Sequence, residues 1–461
     1  GPKALIIGAG IGGLTTSILL AQKGYSVSVY EKNSSPGGRC GQLIRDGHRF
    51  DLGATMLMMP GVYHEVFNLL GIELEEGKDI LPLKDLYTIF FNDCSSLAFS
   101  PDTEKMNRQL EAIEPGSSAR ARDYVEKGYR IYNLGMNRLV SRNFYSLFQM
   151  VNLKNVPLLF QLKAFTPHYR YSKRFFKSES LRMAYTFQNI YVGQNPFDSP
   201  ALFSMIPAAE LTEGSFFPAS GGMFNIVERL LAEAGKLGVK IYYNNPVSRI
   251  SIKDKKAMGI ILSDGTAVGA DLVVSNADLP YTYRKLLPDR RKSAHIEKLK
   301  YSCSALCFHW GLDKVYPQLD QHNVFLSDNF REGLRKIFRD KSVGDDPCFY
   351  VHAPSRSDQS AAPAGQDTLS VAVGIGHIDR KHPQDWEKIR ERTRKAVLDR
   401  LRKQGLDDLE ENIRFEICHT PESWENGCNI SRGSVFGSLG HNIFQMGYFR
   451  PHNRHDKYLN L

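Results

Sequence analysis

Gly8-Ala9-Gly10-Ile11-Gly12-Gly13 is the stretch that decides the fold of this 461-residue chain. Residues 3–7 before it, Lys-Ala-Leu-Ile-Ile, are typical of a short buried strand, and residues 14–23 after it carry apolar side chains at helical spacing. A second strand is predicted over residues 26–30, and it ends at Glu31. The order of strand, glycine turn, helix and strand predicts a βαβ unit.

The residue types in this turn suit a bound dinucleotide. Gly8 permits the tight turn, Gly10 lets a pyrophosphate approach the backbone, and Gly13 lets the helix pack closely on the strand. The first helical N–H groups face the phosphates at the positive end of the helix dipole. The Glu31 carboxylate can accept hydrogen bonds from the two hydroxyls of an adenosine ribose, and an acid there disfavours NADP. The predicted nucleotide-binding residues are Gly8, Ala9, Gly10, Ile11, Gly12, Gly13 and Glu31.

Two other interpretations compete with the nucleotide site. One is a glycine-rich turn without a ligand. The other is a membrane-spanning or signal segment, because residues 4–21 carry no charge. Four glycines in fingerprint register are a poor choice for a spanning helix, and no basic region precedes them. A nucleotide site is therefore the prediction.

More glycines and a cation follow the acid at once. Residues 32–39 read Lys-Asn-Ser-Ser-Pro-Gly-Gly-Arg, and residues 47–55 read Gly-His-Arg-Phe-Asp-Leu-Gly-Ala-Thr. A second close backbone approach at the two glycines and a fixed cation at Arg39 suit a ligand that continues past its pyrophosphate. The site is therefore expected to extend beyond the adenosine half of the ligand.

Taken together, the fingerprint ending in Glu31, the PGGR run at 36–39 and the FD-x-GAT run at 50–55 resemble the FAD-binding superfamily of amine oxidases, protoporphyrinogen oxidases and carotenoid desaturases. In that superfamily the PGGR run lies beside the FAD phosphates and the flavin. The resemblance implies FAD as the cofactor. It adds five residues to the predicted site: Lys32, Gly38, Arg39, Ala54 and Thr55.

Two later motifs narrow the resemblance to the carotenoid desaturases. Residues 217–223 read Phe-Pro-Ala-Ser-Gly-Gly-Met, and residues 275–278 read Ser-Asn-Ala-Asp. Carotenoid desaturases carry these motifs together, along with a valine whose backbone meets the adenine. By this resemblance Val247 and Asn276 complete the predicted cofactor site.

The resemblance also implies an architecture. It is an α/β fold with a discontinuous Rossmann-like FAD-binding domain, a mixed-sheet substrate domain and a helical membrane-associating segment. In the family, a strand, a glycine-rich turn and a final helix follow a stretch like residues 441–461 and cover the flavin. This chain stops at Leu461, so either that segment has been removed or this form binds FAD poorly. The predicted division is FAD domain at 1–75 and 215–290, substrate domain at 76–143 and 291–440, helical segment at 144–214, and the return toward the FAD domain from 441.

Composition and charge bound the partners. The net charge of +9 and the pI near 9.0 favour an anionic partner, either nucleic acid or anionic lipid. Hydrophobic residues at 42% and charged residues at 24% exclude a disordered or fibrous class. Seven cysteines at loose spacing, with no CxxC, argue against a disulfide framework or a zinc site and favour a reducing cytoplasm. No metal is predicted.

Residues 144–183 place apolar and aromatic side chains beside clustered cations. Such a segment suits an anionic membrane surface, where each cation near the surface adds about 1 kcal/mol. A helix pair with a solvated basic face is one alternative, and a nucleic-acid patch is the other. Pro157 and Pro167 favour a broken helical hairpin over a single-strand groove, so membrane is the predicted partner and nucleic acid is not. The protein is therefore expected on the inner, cytoplasmic face of a membrane, through Phe148, Phe160, Phe165, Tyr169, Tyr171, Phe175, Phe176, Lys163, Arg170, Lys173, Arg174, Lys177 and Arg182.

The activity is implied by the family. A carotenoid desaturase removes two hydrogens from a long polyene, of the phytoene type or at a terminal 3,4 bond, by hydride transfer to flavin N5 and loss of a neighbouring proton. A carotenoid isomerase or saturase, an amine oxidase, and a lipid-binding chaperone resembling GDP-dissociation inhibitors are the alternatives. No catalytic base is identified from the sequence. Asp51 and His352 follow predicted strands, but each is more typical of a hydrogen-bonded structural residue.

Overall fold

The computed structural model describes residues 1–152 and 155–461. The described strands are β1 Lys3–Ile7, β2 Ser26–Tyr30, β3 Gln42–Arg45, β4 His48–Asp51, β5 Leu57–Met58, β6 Ile80–Pro82, β7 Tyr87–Phe90, β8 Ser96–Phe99, β9 Ser215–Pro218, β10 Lys240–Tyr242, β11 Val247–Lys253, β12 Lys256–Leu262, β13 Ala267–Gly269, β14 Leu272–Ser275, β15 Ser304–Leu312, β16 His322–Phe325, β17 Phe349–His352, β18 Asp367–Ile375 and β19 Ile413–His419. The described α-helices are α1 Ile11–Gln22, α2 Pro60–Leu70, α3 Thr103–Ile113, α4 Ser117–Gly135, α5 Leu147–Met150, α6 Val156–Gln161, α7 His168–Ser172, α8 Glu179–Ala184, α9 Met205–Glu213, α10 Phe224–Lys236, α11 Leu279–Tyr281, α12 Arg290–Glu297, α13 Phe330–Phe338, α14 Trp386–Lys403 and α15 Pro421–Cys428.

A four-stranded parallel sheet carries the glycine turn. Its order is β10-β2-β1-β14, so strands from residues 240–275 complete a sheet that begins at residue 3. Helices α1 and α10 pack on one face around Leu14, Ile18 and Leu230. The antiparallel sheet β11-β12-β13 packs on the other face. The predicted βαβ unit is confirmed, with both faces covered as parallel sheets require.

A seven-stranded mixed sheet forms a second layer, in the order β19-β15-β18-β17-β16-β7-β8. Its pairs are antiparallel except β16 with β7. The mixed α/β fold implied by the resemblance is confirmed. The sequence does not predict β16, because a four-residue strand containing His322 and Asn323 has no apolar run. Its pairing with β7 and β17 defines it.

Residues 144–183 fold into four short helices, α5 to α8, and residues 153 and 154 lie outside the described residues. Four of the aromatic side chains in this segment are enclosed by the protein. Tyr169, Tyr171, Phe175 and Phe176 are buried in a core shared with β7, β8 and α4. The prediction that these four rings contact lipid headgroups is therefore wrong, because tertiary packing encloses them. No helix in the described ranges has the length and apolarity to cross a bilayer.

Candidate active site

The glycine turn joins β1 to the N-terminus of α1. Gly8 has a φ of +95°, which an L side chain rarely adopts. A Cβ on Gly13 would lie 2.1 Å from the Gly8 carbonyl oxygen, so only glycine lets the helix pack this closely on the turn. The N-cap, Gly10, makes no side-chain hydrogen bond, and the first turn of α1 holds no acidic residue. The helix terminus is thus open to an anion.

The acid at the end of β2 supports the turn. Glu31 accepts hydrogen bonds from the backbone N–H groups of Ala9 and Asn33, each at 2.8 Å, and is 7% exposed. Lys32 donates to the Asn426 carbonyl and to Asn429 Oδ1 at 2.9 Å, and burial lowers the pKa of its ammonium group. The Lys32 ammonium group therefore ties the turn to α15.

The PGGR run lies against the turn. The Gly37 N–H donates to the Ala9 carbonyl at 2.9 Å, and Gly37 has a φ of +107°. Arg39 donates from Nη1 to the Val435 carbonyl at 2.9 Å. A Cβ on Gly53 would lie 2.0 Å from the Arg39 carbonyl oxygen, so the chain before Ala54 and Thr55 packs directly on this run. Two distant motifs of the sequence thus meet at one place.

Asn276, at the end of β14, packs over the turn. A Cβ on Gly10 would lie 3.1 Å from its Nδ2, and one on Gly12 would lie 2.5 Å from its Oδ1. The backbone of the turn is therefore kept free of side chains. Val247 begins β11 and lines the same cavity as Glu31.

The two candidate bases from the sequence occupy different positions. Asp51 accepts a hydrogen bond from the Met223 N–H at 2.9 Å, at the start of α10, and burial raises the pKa of its carboxyl group to about 7. Asp51 thus supports the start of a helix and also lines the cavity described next. His352 is fully buried and does not line the cavity described next.

A cavity of about 1340 Å³ runs from the glycine turn to the face of the seven-stranded sheet. Drug-sized ligands use pockets of ~300–1000 Å³, so there is room for more than one such group. The sheet contributes small side chains to the floor, among them Ala305, Cys307, Ala372 and Gly374. Among the fourteen predicted site residues, Ala9 and Gly13 lie behind the wall, and these twelve line it: Gly8, Gly10, Ile11, Gly12, Glu31, Lys32, Gly38, Arg39, Ala54, Thr55, Val247 and Asn276.

The polar end of this cavity fits FAD. The open helix terminus and the bare glycine backbone suit a pyrophosphate, and Glu31 lies where a ribose would follow. The remaining volume has a mainly apolar wall, which suits a flavin and a hydrocarbon. Over 1–152 and 155–461, no three His, Cys, Asp or Glu side chains come close enough together to hold a metal ion.

Comparison with known proteins identifies the family. Residues 11–455 match the family model described as flavin containing amine oxidoreductase. The whole chain is 38% identical to a zeta-carotene-forming phytoene desaturase from Myxococcus xanthus, covering 89% of that protein. It is 36% identical to a phytoene desaturase from Fusarium fujikuroi, covering all of the chain and 84% of that relative. The chain belongs to the carotenoid desaturase family.

The family and its cofactor agree with the predictions from the sequence. This carotenoid desaturase is an FAD-dependent oxidoreductase. Its fold is shared with an oxidoreductase from Methanosarcina mazei, with a TM-score of 0.61 at 17% identity, covering 99% of this chain and 93% of that one. The predicted family and FAD dependence are confirmed.

Several residues that line the cavity were not predicted from the sequence. Tyr350 and Tyr191 line the wall, and the irregular chain after α15 also lines the desaturase cavity, at 429–430 and 435–439. Side chains alternate between the two faces along a strand, so the sequence of β15 could have placed Ala305 and Cys307 on one face of the sheet. The irregular segment carries no periodic pattern, so no signal in the sequence could have placed it.

Proposed function

We propose that the protein introduces C=C bonds into a long carotenoid of the phytoene type, as a step of carotenoid biosynthesis. The observation that carries this is one continuous cavity with a dinucleotide turn at one end and a floor of small side chains at the other. The names of its full-length relatives support the substrate class.

Residues of this chain bind the cofactor and the substrate, orient them and exclude water. The open N-terminus of α1 and Glu31 hold the nucleotide half of FAD, which when bound supplies a hydride acceptor at flavin N5. The floor at Ala305, Ala372 and Gly374 leaves space for an extended hydrocarbon above the sheet. Phe330, Leu334 and Ile337 add an apolar wall from α13. Such a cavity positions a neutral polyene by shape and keeps water from the reacting bond.

Access from a membrane completes the proposal. The exposed rings Phe148, Phe160, Phe165 and Phe444 are together called the apolar patch; their exposures are 85%, 65%, 60% and 75%, and the centroids of the Phe160 and Phe165 rings lie 5.5 Å apart. The chain that follows Phe444 packs on α5, where the Tyr448 N–H lies 3.2 Å from Met150 Sδ. This chain then reaches the cavity at Arg450 and Pro451. Exposed rings of this size are typical of a membrane-binding surface.

Cations lie close to three of these rings in the sequence. Lys163 is half-buried, and Arg170, Lys173, Arg174 and Lys177 are exposed on the neighbouring turns. Together with the net charge of +9 they favour an anionic surface. The carotenoid then enters from the bilayer, with the protein lying peripherally on its inner face.

The test is reconstitution with FAD and phytoene in anionic liposomes, followed by chromatography and mass measurement of the pigments. Desaturation lowers the mass by two hydrogens per new bond and moves absorbance to longer wavelength. An isomerase would leave the mass unchanged, and a saturase would raise it. Recovery of unchanged phytoene by FAD-loaded protein would contradict the proposed substrate.

A further inference from the structure

Tyr350 lies at the cavity wall between a predicted cofactor residue and a buried imidazole. Its hydroxyl oxygen is 2.9 Å from Thr55 Oγ1 and 2.6 Å from His322 Nδ1. Tyr350 and Thr55 line the cavity, whereas His322 lies behind the wall and is 1% exposed. One hydroxyl therefore connects the cavity with a ring nitrogen that the cavity does not reach.

A second imidazole lies behind the first. His322 and His352 face each other on the paired strands β16 and β17, with ring centroids 5.1 Å apart and planes 8° from parallel. Within the described part of the chain, His322 Nε2 and both nitrogens of His352 have no hydrogen-bond partner. A buried polar group without a hydrogen-bond partner destabilises the folded protein. Three of them beside a cavity therefore indicate a role other than stability.

Burial determines the charge of this pair. It lowers the pKa of His322 to about 3 and the pKa of His352 well below its usual range. Both rings are therefore neutral near pH 7. In the tautomer that carries its proton on Nε2, His322 offers the Nδ1 lone pair to the Tyr350 hydroxyl 2.6 Å away.

We propose that Tyr350 is the catalytic residue that accepts the proton lost in desaturation, with His322 acting through it as a positioning residue. This inference rests on the proposed function. One substrate carbon gives a hydride, with its two electrons, to FAD, and the neighbouring C–H bond breaks. Its electron pair forms the new C=C bond, and its proton goes to the Tyr350 oxygen. The original hydroxyl proton of Tyr350 moves to His322 Nδ1.

The chemistry asks for a weak base at this position. A carbon next to one that has lost a hydride is strongly acidic, so a neutral oxygen backed by a neutral imidazole suffices. A carboxylate would be charged and unpaired in an apolar cavity, which is costly. Of the nearby acidic groups, Asp51 lines the cavity but accepts the Met223 N–H at the start of α10, and Glu210, which receives a hydrogen bond from Tyr87, does not line the cavity.

Tyr350→Phe tests the assignment because it removes only the hydroxyl. FAD-loaded protein would be mixed anaerobically with phytoene in liposomes, and the bleaching of flavin absorbance timed. We expect an approximately 100-fold slower reduction, within the usual range for a lost acid–base group. The FAD dissociation constant and the thermal midpoint of the FAD-free protein should change little. Deuterium at the carbon that loses the proton should slow the variant more than the wild type.

Tyr87→Phe is the matched control, since it removes a buried tyrosine hydroxyl on the same sheet away from the cavity, and it should keep its rate. His322→Phe keeps the ring stack, should slow reduction, and should add little to Tyr350→Phe in the double variant.

Wild-type rates in Tyr350→Phe, or a loss explained by weaker FAD or phytoene binding, would overturn the inference. If wild-type protein fails to reduce FAD with phytoene, the proposed function fails instead. If Tyr350→Phe does not fold, an unchanged isotope effect in His322→Phe would overturn the inference.

Discussion

The Ala9 N–H donates a hydrogen bond of 2.8 Å to the Glu31 carboxylate, which joins the glycine turn to the end of the second strand. The acid therefore shapes the turn and also lines the cavity, where we expect it to bind a ribose of the cofactor. A single substitution of Glu31 should disturb both.

Glu31→Ala is expected to weaken FAD binding. Hydrogen bonds to a charged group contribute about 1.5–3 kcal/mol, so the dissociation constant should rise about 10- to 100-fold. Flavin fluorescence titration measures it. Glu126→Ala, an exposed acid on α4, serves as the control and should bind FAD like the wild type. Equal affinity in the two variants would contradict a nucleotide role for Glu31.

Gly13→Ala is expected to destabilise the protein. The added Cβ would lie 2.1 Å from the Gly8 carbonyl oxygen, and overpacking of this kind costs about 1–3 kcal/mol. Gly235→Ala is the matched control, because it also lies in a helix but has open space around its Cβ. It should be neutral or slightly stabilising. Denaturant midpoints compare the two, and equal midpoints would show that the turn can relax.

Asp51 predicts a pH dependence of stability. Burial raises the pKa of its carboxyl group from 3.8 to about 7, so the folded state keeps a proton that the unfolded state releases. Stability should therefore fall as pH rises from about 4 to 7. Asp51→Asn cannot ionise and keeps an oxygen for the Met223 N–H.

Relative to the wild type, Asp51→Asn should gain about 2–3 kcal/mol in the free energy of unfolding between pH 5 and pH 8, at about 1.4 kcal/mol per pKa unit. The pKa of Glu210 is also raised, so Glu210 contributes to the pH dependence of stability in the same direction. This contribution is the same in the wild type and in Asp51→Asn, and it cancels when the two are compared. Urea unfolding at the two pH values measures the difference. Parallel curves would show that Asp51 is ionised in the folded protein.

Removing the apolar patch should weaken membrane binding. Phe148→Ser, Phe160→Ser and Phe165→Ser together remove rings whose burial contributes about 1.5–3 kcal/mol each when complete, so binding to anionic liposomes should fall at least 100-fold. Ile44→Ser with Leu69→Ser is the control, because these side chains are exposed to a similar degree elsewhere. Replacing Lys173, Arg174 and Lys177 with Gln should reduce binding only to anionic vesicles. Sedimentation with vesicles measures all three variants, and binding that survives the loss of the rings would place the docking surface elsewhere.

Local sequence patterns were enough to predict the secondary structure around the glycine turn. The turn at Gly8–Gly13 and Glu31 are close in sequence, and their roles depend on backbone geometry that glycine alone permits, so the motif predicted strand, helix and strand correctly. The aromatic residues at 144–183 show the opposite case. Phe148 lies in an uncharged stretch and Phe176 lies among cations, yet Phe148 is 85% exposed and Phe176 is fully buried. Burial there depends on which distant strands pack on each helix.

The sequence by itself determined the parallel sheet, because glycines and an acid at fixed spacing predict a strand, a helix and a strand, and its resemblance to a known superfamily indicated the family and FAD. Only the tertiary structure decided which side chains line the rest of the cavity. Tyr350 meets Thr55 and His322 because β17 pairs with β16 and the whole sheet packs against the cofactor layer. Contacts between residues so far apart in sequence depend on long-range packing, which a local pattern does not encode.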